Sequence, residues 1–498
     1  MLKFFKIIDA SFLNKSNYTQ FLFYFIVVIF FVSQIPFLNA DADKSIASGS
    51  RGAWTDEGMY TAPVRNFIRL GCNEFKLQNS IEKTPYTIVT PLYSLYLFPF
   101  FKIFGVGMLK ARLITLVTCC LLLILIFKRS NFQFMGIIFI LTVMMFFPIH
   151  QYSHLCLAEI YSSLLIVLGI VYHHNSKKES TYISILSFYL VLVAAILFKI
   201  QFIYTLVLPL LTCILNYFQH RNKESFRLLL FSSVCFVGIV LLMFLLWYIP
   251  FKDAWSLTGS SSSGSINIKA ISFDLIYSNI NSFFFKKQYL VFSILFVFAF
   301  LIYLFILPKS KAENESSNLM NTVLLWLLIE SHKISLSYLP VRYLISFYMA
   351  MGLFSAIVFA QLFIRIKTSV VISTVIIIAC FAMNVFIFFR GFESRSFVLL
   401  NLNNYFSGFV SKNDVAVGPW APVVFWDAGC VAYPIWAVYT KNKSIIESYL
   451  PNYIVSEFNE ADSDSAFSKN NIILSSRCDS LLQAEIALWK VNIYKLKQ

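Results

Sequence analysis

The chain has 498 residues, of which 58% are hydrophobic and only 13% charged, with 54 Phe and 26 Tyr. A soluble globular domain is far less apolar, and the recurring stretches of about 20 apolar residues match the length a bilayer crossing requires. The net charge of +15 does not mark a nucleic-acid binder, because the basic residues form short clusters between apolar segments, as lysine and arginine do in cytoplasmic membrane loops.

In chain order, spans are expected at about 20–39, 108–127, 132–149, 156–173, 181–198, 202–218, 228–249, 289–307, 319–336, 342–363 and 369–389, about eleven in all. Residues 181–218 fit a tight hairpin turning near Lys199. Lys and Arg mark alternate ends: Lys3, Lys6 and Lys15; Lys128 and Arg129; Lys177 and Lys178; Arg221, Lys223 and Arg227; Lys309 and Lys311; Arg365 and Lys367. This places the N-terminus in the cytoplasm, and an odd number of spans puts the C-terminal segment outside. The first stretch has a basic leader and a loosely signal-like FLNADA, but about 19 apolar residues are long for a signal peptide.

Three segments then lie outside the membrane: a first loop at 40–107, a second at 250–288 with the flexible tract TGSSSSGS, and a tail at 391–498. The chain therefore divides into a membrane domain, 1–390, and an extracytoplasmic C-terminal domain, 391–498. The tail has strand-like runs at DVAVG (414–418), NYIVSE (452–457) and NNIILSS (470–476), with WAPVVFWDAG as a short helix ending at Gly429. A small α/β domain is expected there. The nine cysteines include no CxxC pair, so no zinc or thioredoxin motif is present, while Cys430 and Cys478 of the tail would be free to pair in an oxidising compartment.

The stretch WTDEGMY in the first loop sets Asp56 beside Glu57 in a chain poor in charge. One reading is structural: Pro63 suits the first position of a helix and Gly71 the residue after its end, giving a helix of about 63–70 with the acids in its approach. The other is catalytic. One carboxylate takes a proton from a nucleophile, while the other orients it or helps hold a divalent cation such as magnesium or manganese.

The order of residues decides more than any one of them. DEGMYTAPVRNFIRLG at 56–71, followed by TPLYSLYLFPFFKIFGVGMLKARLITLV at 90–117, resembles the opening of the polyprenyl-phosphate-sugar-dependent glycosyltransferases of the GT-C fold, which include the protein O-mannosyltransferases and the aminoarabinose transferases of lipid A. The matching positions are Asp56, Glu57, Tyr60, Arg65, Gly71, Pro91, Leu92, Tyr93, Phe104, Gly105, Ala111, Arg112 and Leu113; Pro63 and Thr90 depart from the pattern. The likeness is clear over about 20–220, architectural beyond that, and thin over the tail. It implies an all-α polytopic fold with a small extracytoplasmic α/β domain, and an inverting transfer of sugar from a polyprenyl-phosphate carrier. In a bacterium the carrier would be undecaprenyl phosphate and the site the inner membrane.

The acceptor would be a lipid, a glycan or a protein. Asp56 is the implied general base, assisted by Glu57 and by Glu159, the counterpart of the family's second acid. Asp56 and Glu159 are the candidate metal ligands, and Arg65, Lys199 and Arg342 the candidates for the donor phosphate. Tyr60, Tyr93 and His154 are candidates for the substrate pocket. No GxxxxGK[ST] is present, and the DAD at 41–43 and DSD at 462–464 lack the setting of a nucleotide-sugar site. A transporter or flippase is the main alternative and would call for matching halves with broken spans; a structural assembly subunit is a third.

Overall fold

A computed structural model of the chain describes residues 16–46, 52–70, 75–77, 80–82, 91–128, 133–175, 181–252, 272–306, 314–365, 369–435, 450–457, 467 and 473–497. The Gly/Ser tract at 258–265 and the DSD at 462–464 lie outside these residues.

The protein is an all-α membrane protein with a small C-terminal sheet domain. Its helices in the first half are α1 (Ser16–Gln34), α2 (Gly52–Leu70), α3 (Pro91–Phe104), α4 (Met108–Lys128), α5 (Gln133–Phe139), α6 (Phe147–Tyr152), α7 (Ala158–Asn175), α8 (Thr181–Phe198) and α9 (Val207–His220). There follow α10 (Lys223–Met243), α11 (Phe273–Ile280), α12 (Lys287–Phe305), α13 (Asn314–Glu330), α14 (Val341–Arg365) and α15 (Ser369–Glu393). A two-stranded ribbon, β1 (Phe75–Leu77) with β2 (Ser80–Glu82), follows α2.

Among the described residues, eight helical segments are long and apolar enough to cross a membrane. Of the eleven expected spans, 132–149 and 156–173 prove shorter, as apolar helices Phe134–Met144 and Ala158–His174. The first of these is broken by a π-turn at Ile140–Met144 and by extended Phe146, two residues before Pro148. The expected span at 319–336 ends as α13 at Glu330, with a 3-10 turn over Ser331–Ser335. The hairpin at Lys199 is present: Lys199 is extended between α8 and a 3-10 turn over Ile200–Leu206.

Helix α14 forms the centre of the bundle, 94% of its apolar window being buried, whereas the Lys223–Tyr248 segment is 6% buried and presents its side chains outward. That contrast follows the bilayer's demands, since lipid-facing leucine and valine need no protein partner. Helix α7 packs against α4, α8 and α14, and α2 packs against α3.

The first loop differs from the expected helix of about 63–70. Helix α2 runs through Pro63 and begins eleven residues earlier, at Gly52, so Asp56 and Glu57 lie on a helix and not in its approach. Proline removes one helical N–H bond, the one residue 63 would otherwise make to the Met59 carbonyl, and the helix continues through it. The helix is held from outside by the C-terminal domain, as its arginines show below.

That domain comprises α16 (Val398–Ser407), β3 (Val415–Val417), α17 (Ala421–Val424), β4 (Val431–Tyr433), β5 (Tyr453–Glu457), α18 (Leu474–Arg477), β6 (Cys478–Ile486) and β7 (Trp489–Leu496). The strands form one sheet in the order β4-β3-β5-β7-β6; β3 is parallel to β4 and β5, and β7 is antiparallel to β5 and β6. The strands expected at 414–418 and 452–457 are present. The run at 470–476 is not a strand where it is described, since Leu474–Arg477 is helical. The helix in WAPVVFWDAG stops at Val424, short of Gly429. Cys430 and Cys478 are both free and buried, and burial raises both thiols above their usual pKa, Cys430 to about 11.

Candidate active site

Five buried side chains from four segments converge. Helix α2 supplies Asp56 and, one turn on, Tyr60; the start of α7 supplies Glu159; the α8 hairpin supplies Lys199; the start of α14 supplies Arg342. Arg342 Nε lies 3.2 Å from Asp56 Oδ2 and 3.8 Å from Glu159 Oε1. Lys199 Nζ lies 3.2 Å from Glu159 Oε1. It also donates to the Tyr60 hydroxyl, with the ammonium 4.1 Å above the ring centre. Tyr60 in turn donates to Asp56 Oδ2 at 3.1 Å. Burial first, and then the charge of Asp56, pushes the Tyr60 phenol well above the usual tyrosine range, so it remains a donor.

Two acids and two cations thus balance in a region where unpaired charge would be expensive. The contacts to Asp56 from Tyr60 and Arg342 both fall on Oδ2. Glu159 is fully buried, and its Oε2 accepts no hydrogen bond among the described residues.

Glu57 does something else. It points away from this cluster into a two-pronged ion pair with Arg112, at 2.6 Å to Nη2 and 2.9 Å to Nε, with both side chains fully buried. The Cys156 backbone N–H also donates to it at 2.7 Å, and Arg112 Nη1 donates to the carbonyls of Leu38 and Ala40 at 3.0 and 2.6 Å. Its acceptor capacity is spent on locking α2, α4, the turn after α1 and the entry to α7 together. Cys156 is three residues before Glu159, so Glu57 fixes the helix end that carries the second acid.

The remaining expected residues divide. Tyr93 is buried, with its ring 6.4 Å from that of Tyr60 and 5.9 Å from that of Tyr161, so it walls the cluster. Arg65 is not brought to the cluster. It donates to the Pro422 carbonyl at 2.9 Å and stands 6.0 Å over the Trp426 ring, against the C-terminal domain. Arg69 on the same helix donates to the carbonyls of Ala428, Cys430 and Trp426 at 2.6 to 3.3 Å. Both guanidiniums are lowered by burial, Arg65 to about 9. His154 is also elsewhere, bonded through Nδ1 to Gln34 Oε1 at 2.7 Å and stacked on Phe37.

A divalent cation fits these residues poorly. Among the described residues no three His, Cys, Asp or Glu side chains gather to hold a metal, and Arg342 stands between the two acids that would have been its ligands.

Arg342 reaches this position because Gly52 has no side chain: a Cβ there would meet Arg342 Nη1 at 2.0 Å. Gly58 plays a similar part toward the C-terminal domain, where a Cβ would meet the Pro422 carbonyl carbon at 2.7 Å. The structural roles of Gly52 and Cys156 carried no sequence signal, since each depends on a partner dozens to hundreds of residues away; Arg112 stood out only as a position matching the family pattern.

No family model and no curated protein matches this chain. Among solved structures, the crystal structure of ArnT from Cupriavidus metallidurans bound to undecaprenyl phosphate matches with a TM-score of 0.55 at 12% identity, over 96% of this chain and 98% of that one. The apo form of the same protein matches at 0.55 and 13% identity, over 94% and 97%. The Archaeoglobus fulgidus oligosaccharyltransferase in complex with Zn and sulfate matches at 0.51 and 12% identity, over 87% of this chain and 68% of that one. Over nearly all of its length, this chain has the GT-C fold.

Proposed function

We propose that the protein is an integral membrane glycosyltransferase, moving a sugar from a polyprenyl-phosphate carrier to an acceptor on the extracytoplasmic face, with inversion at the anomeric carbon. The observation that carries this reading is the meeting of Asp56, Glu159, Lys199 and Arg342 in one buried cluster. The fold shared with a protein crystallised with undecaprenyl phosphate supports the choice of carrier. The N-terminus then lies in the cytoplasm and the sheet domain outside, in a bacterial inner membrane.

In the resting site both cations are paired with acids. A donor phosphodiester competes for Arg342 and Lys199 and draws them partly away, leaving Asp56 a freer base. The acceptor O–H or N–H then attacks the anomeric carbon. Its proton passes to Asp56, the bond from the anomeric carbon to the phosphate oxygen breaks, and the electron pair leaves with the lipid phosphate. Arg342 and Lys199 stabilise the charge that develops there, the kind of contribution that is commonly largest in such reactions. Tyr60 holds Asp56 Oδ2 in place and so orients the carboxylate. No step runs through a metal.

The test is Asp56→Asn, assayed in membranes with a labelled polyprenyl-phosphate sugar. The variant should insert and fold as the parent does and transfer no sugar. Normal transfer would remove Asp56 from the mechanism, and with it this reading of the cluster.

A further inference from the structure

A second polar space has helix α6 as one of its walls. It has a volume of about 240 Å³, is partly open, and is lined by the segment after α1, helix α6, the C-terminal end of α15 and the β6–β7 turn. Gln151 of α6 lines it, only 1% exposed, and its Nε2 has no hydrogen-bond partner among the described residues. A buried amide N–H without a partner costs about 1–3 kcal/mol. A ligand acceptor oxygen in the cavity would relieve that cost.

The rest of the lining fixes what kind of ligand this is. Asp43, Lys44, Arg395 and Glu485 stand around the space with the Phe37 ring. Asp41 lines it too, with both oxygens already accepting from Ser396 Oγ and from the Val398 and Leu399 backbone at the start of α16; Asp43 accepts from the Ser45 N–H at 2.7 Å and from Ser394 Oγ at 3.3 Å, so Glu485 is the freer acid. Arg395 is held still by bonds to the Pro36 and Phe392 carbonyls, both 2.7 Å, and by stacking 3.6 Å over Phe392. An anion would face Asp43 and Glu485, and a cation would face Lys44 and Arg395. A neutral molecule with many hydroxyls can donate to the acids and accept from the cations and from Gln151. Its C–H faces would meet the aromatic ring. The space holds roughly eight waters at ~30 Å³ each, which is room for one sugar ring. Gln151 also adjoins Tyr152, which is buried within electrostatic reach of Arg342, Glu159 and Asp56.

We infer that this cavity is a binding subsite for one neutral saccharide unit, one residue along α6 from the wall of the transfer site. The inference rests on the transfer reading above. The test uses the full chain in lipid nanodiscs and saturation-transfer NMR with methyl glycosides of glucose, galactose and mannose as probes, and inorganic phosphate as an anionic comparator. At least one glycoside should bind in the millimolar range. Gln151→Leu and the exposed-site change Glu485→Ala should each weaken it by about tenfold, while Asp56→Asn should leave it intact.

Kinetics then separate the sources of the sugar. The two cavity variants raise KM for the acceptor if the unit is the acceptor's, and KM for the donor if it is the donor's; either result upholds the subsite. No glycoside binding to the parent protein, equal binding to both variants, or phosphate binding in place of the glycosides would overturn it. If Asp56→Asn still transfers sugar, the catalytic reading falls while glycoside binding is scored independently.

Discussion

Replacing Gly52 by alanine is the sharpest probe of the site, because it should injure function without injuring the fold. The added Cβ would sit 2.0 Å from Arg342 Nη1, and ordinary contact begins near 3.4 Å. The guanidinium must therefore withdraw by about 1.4 Å. Asp56 lies one turn further along the same face of α2, so the displacement stretches the 3.2 Å Arg342–Asp56 ion pair. The same withdrawal takes the guanidinium away from the donor phosphate; a contact lengthened from about 3.2 to about 4.6 Å at an effective dielectric constant of about 20 loses about 1.6 kcal/mol, roughly fifteenfold. The clash is with the far end of a flexible side chain, and alanine is the better helix former, which offsets part of the lost ion pair, so thermal unfolding should fall only slightly. The assay is the donor dependence of transfer from labelled polyprenyl-phosphate sugar, alongside unfolding in detergent. A fall of about ten- to a hundredfold in kcat/KM for the donor is expected, given how steeply misplacement of a reacting contact is punished. Wild-type kcat/KM in a folded Gly52→Ala protein would refute the placement of Arg342 on the donor.

Glu57→Gln should lower stability by about 3–5 kcal/mol, since it strands the buried Arg112 charge; the double variant Glu57→Gln with Arg112→Met should recover part of the loss, measured by chemical unfolding. Tyr60→Phe should keep the fold and lower kcat more than it raises donor KM, because it removes the bond that orients Asp56 Oδ2. Arg65→Met should leave donor KM unchanged, and it should cost little stability because Arg65 Nε and Nη2 have no hydrogen-bond partner among the described residues. Arg69→Ala, which removes bonds to three carbonyls of the C-terminal domain, should instead speed limited proteolysis of that domain. Adding EDTA should not slow transfer; a rate restored only by magnesium or manganese would show that a metal joins Asp56 and Glu159 after all.

The membrane character of the chain was legible because twenty-residue apolar runs are a strong signal. The acid pair stood out for the opposite reason, as charge in a chain that avoids it. Glu159, Lys199 and Arg342 could be placed near span ends from pattern and resemblance, and the fold brings them to Asp56. The division of labour between the two neighbouring acids was not legible. Successive residues of a helix point about 100° apart, and nothing local says which of Asp56 and Glu57 meets Arg112. Pro63 misled as a helix start, because α2 is sustained by contacts made beyond residue 420. Strands β6 and β7 were missed because CDSLLQAEI and WKVNIYKL mix polar and apolar residues without a run of either, as strands with one solvated face do. Gln151 was missed too, as a lone uncharged amide three residues before His154, which drew attention first.

The even match of two carboxylates with two basic groups has a consequence for which carriers the site will accept. A sugar joined through a single phosphate brings one negative charge to a neutral interior, which one displaced carboxylate contact can accommodate. A diphosphate linkage would bring a second charge, with no further lysine or arginine among the described residues of the cluster to meet it, since the nearby Lys333 is already paired with Glu330 at 2.7 Å. Charge bookkeeping alone would therefore sort monophosphate carriers from diphosphate ones before any contact with the sugar is made.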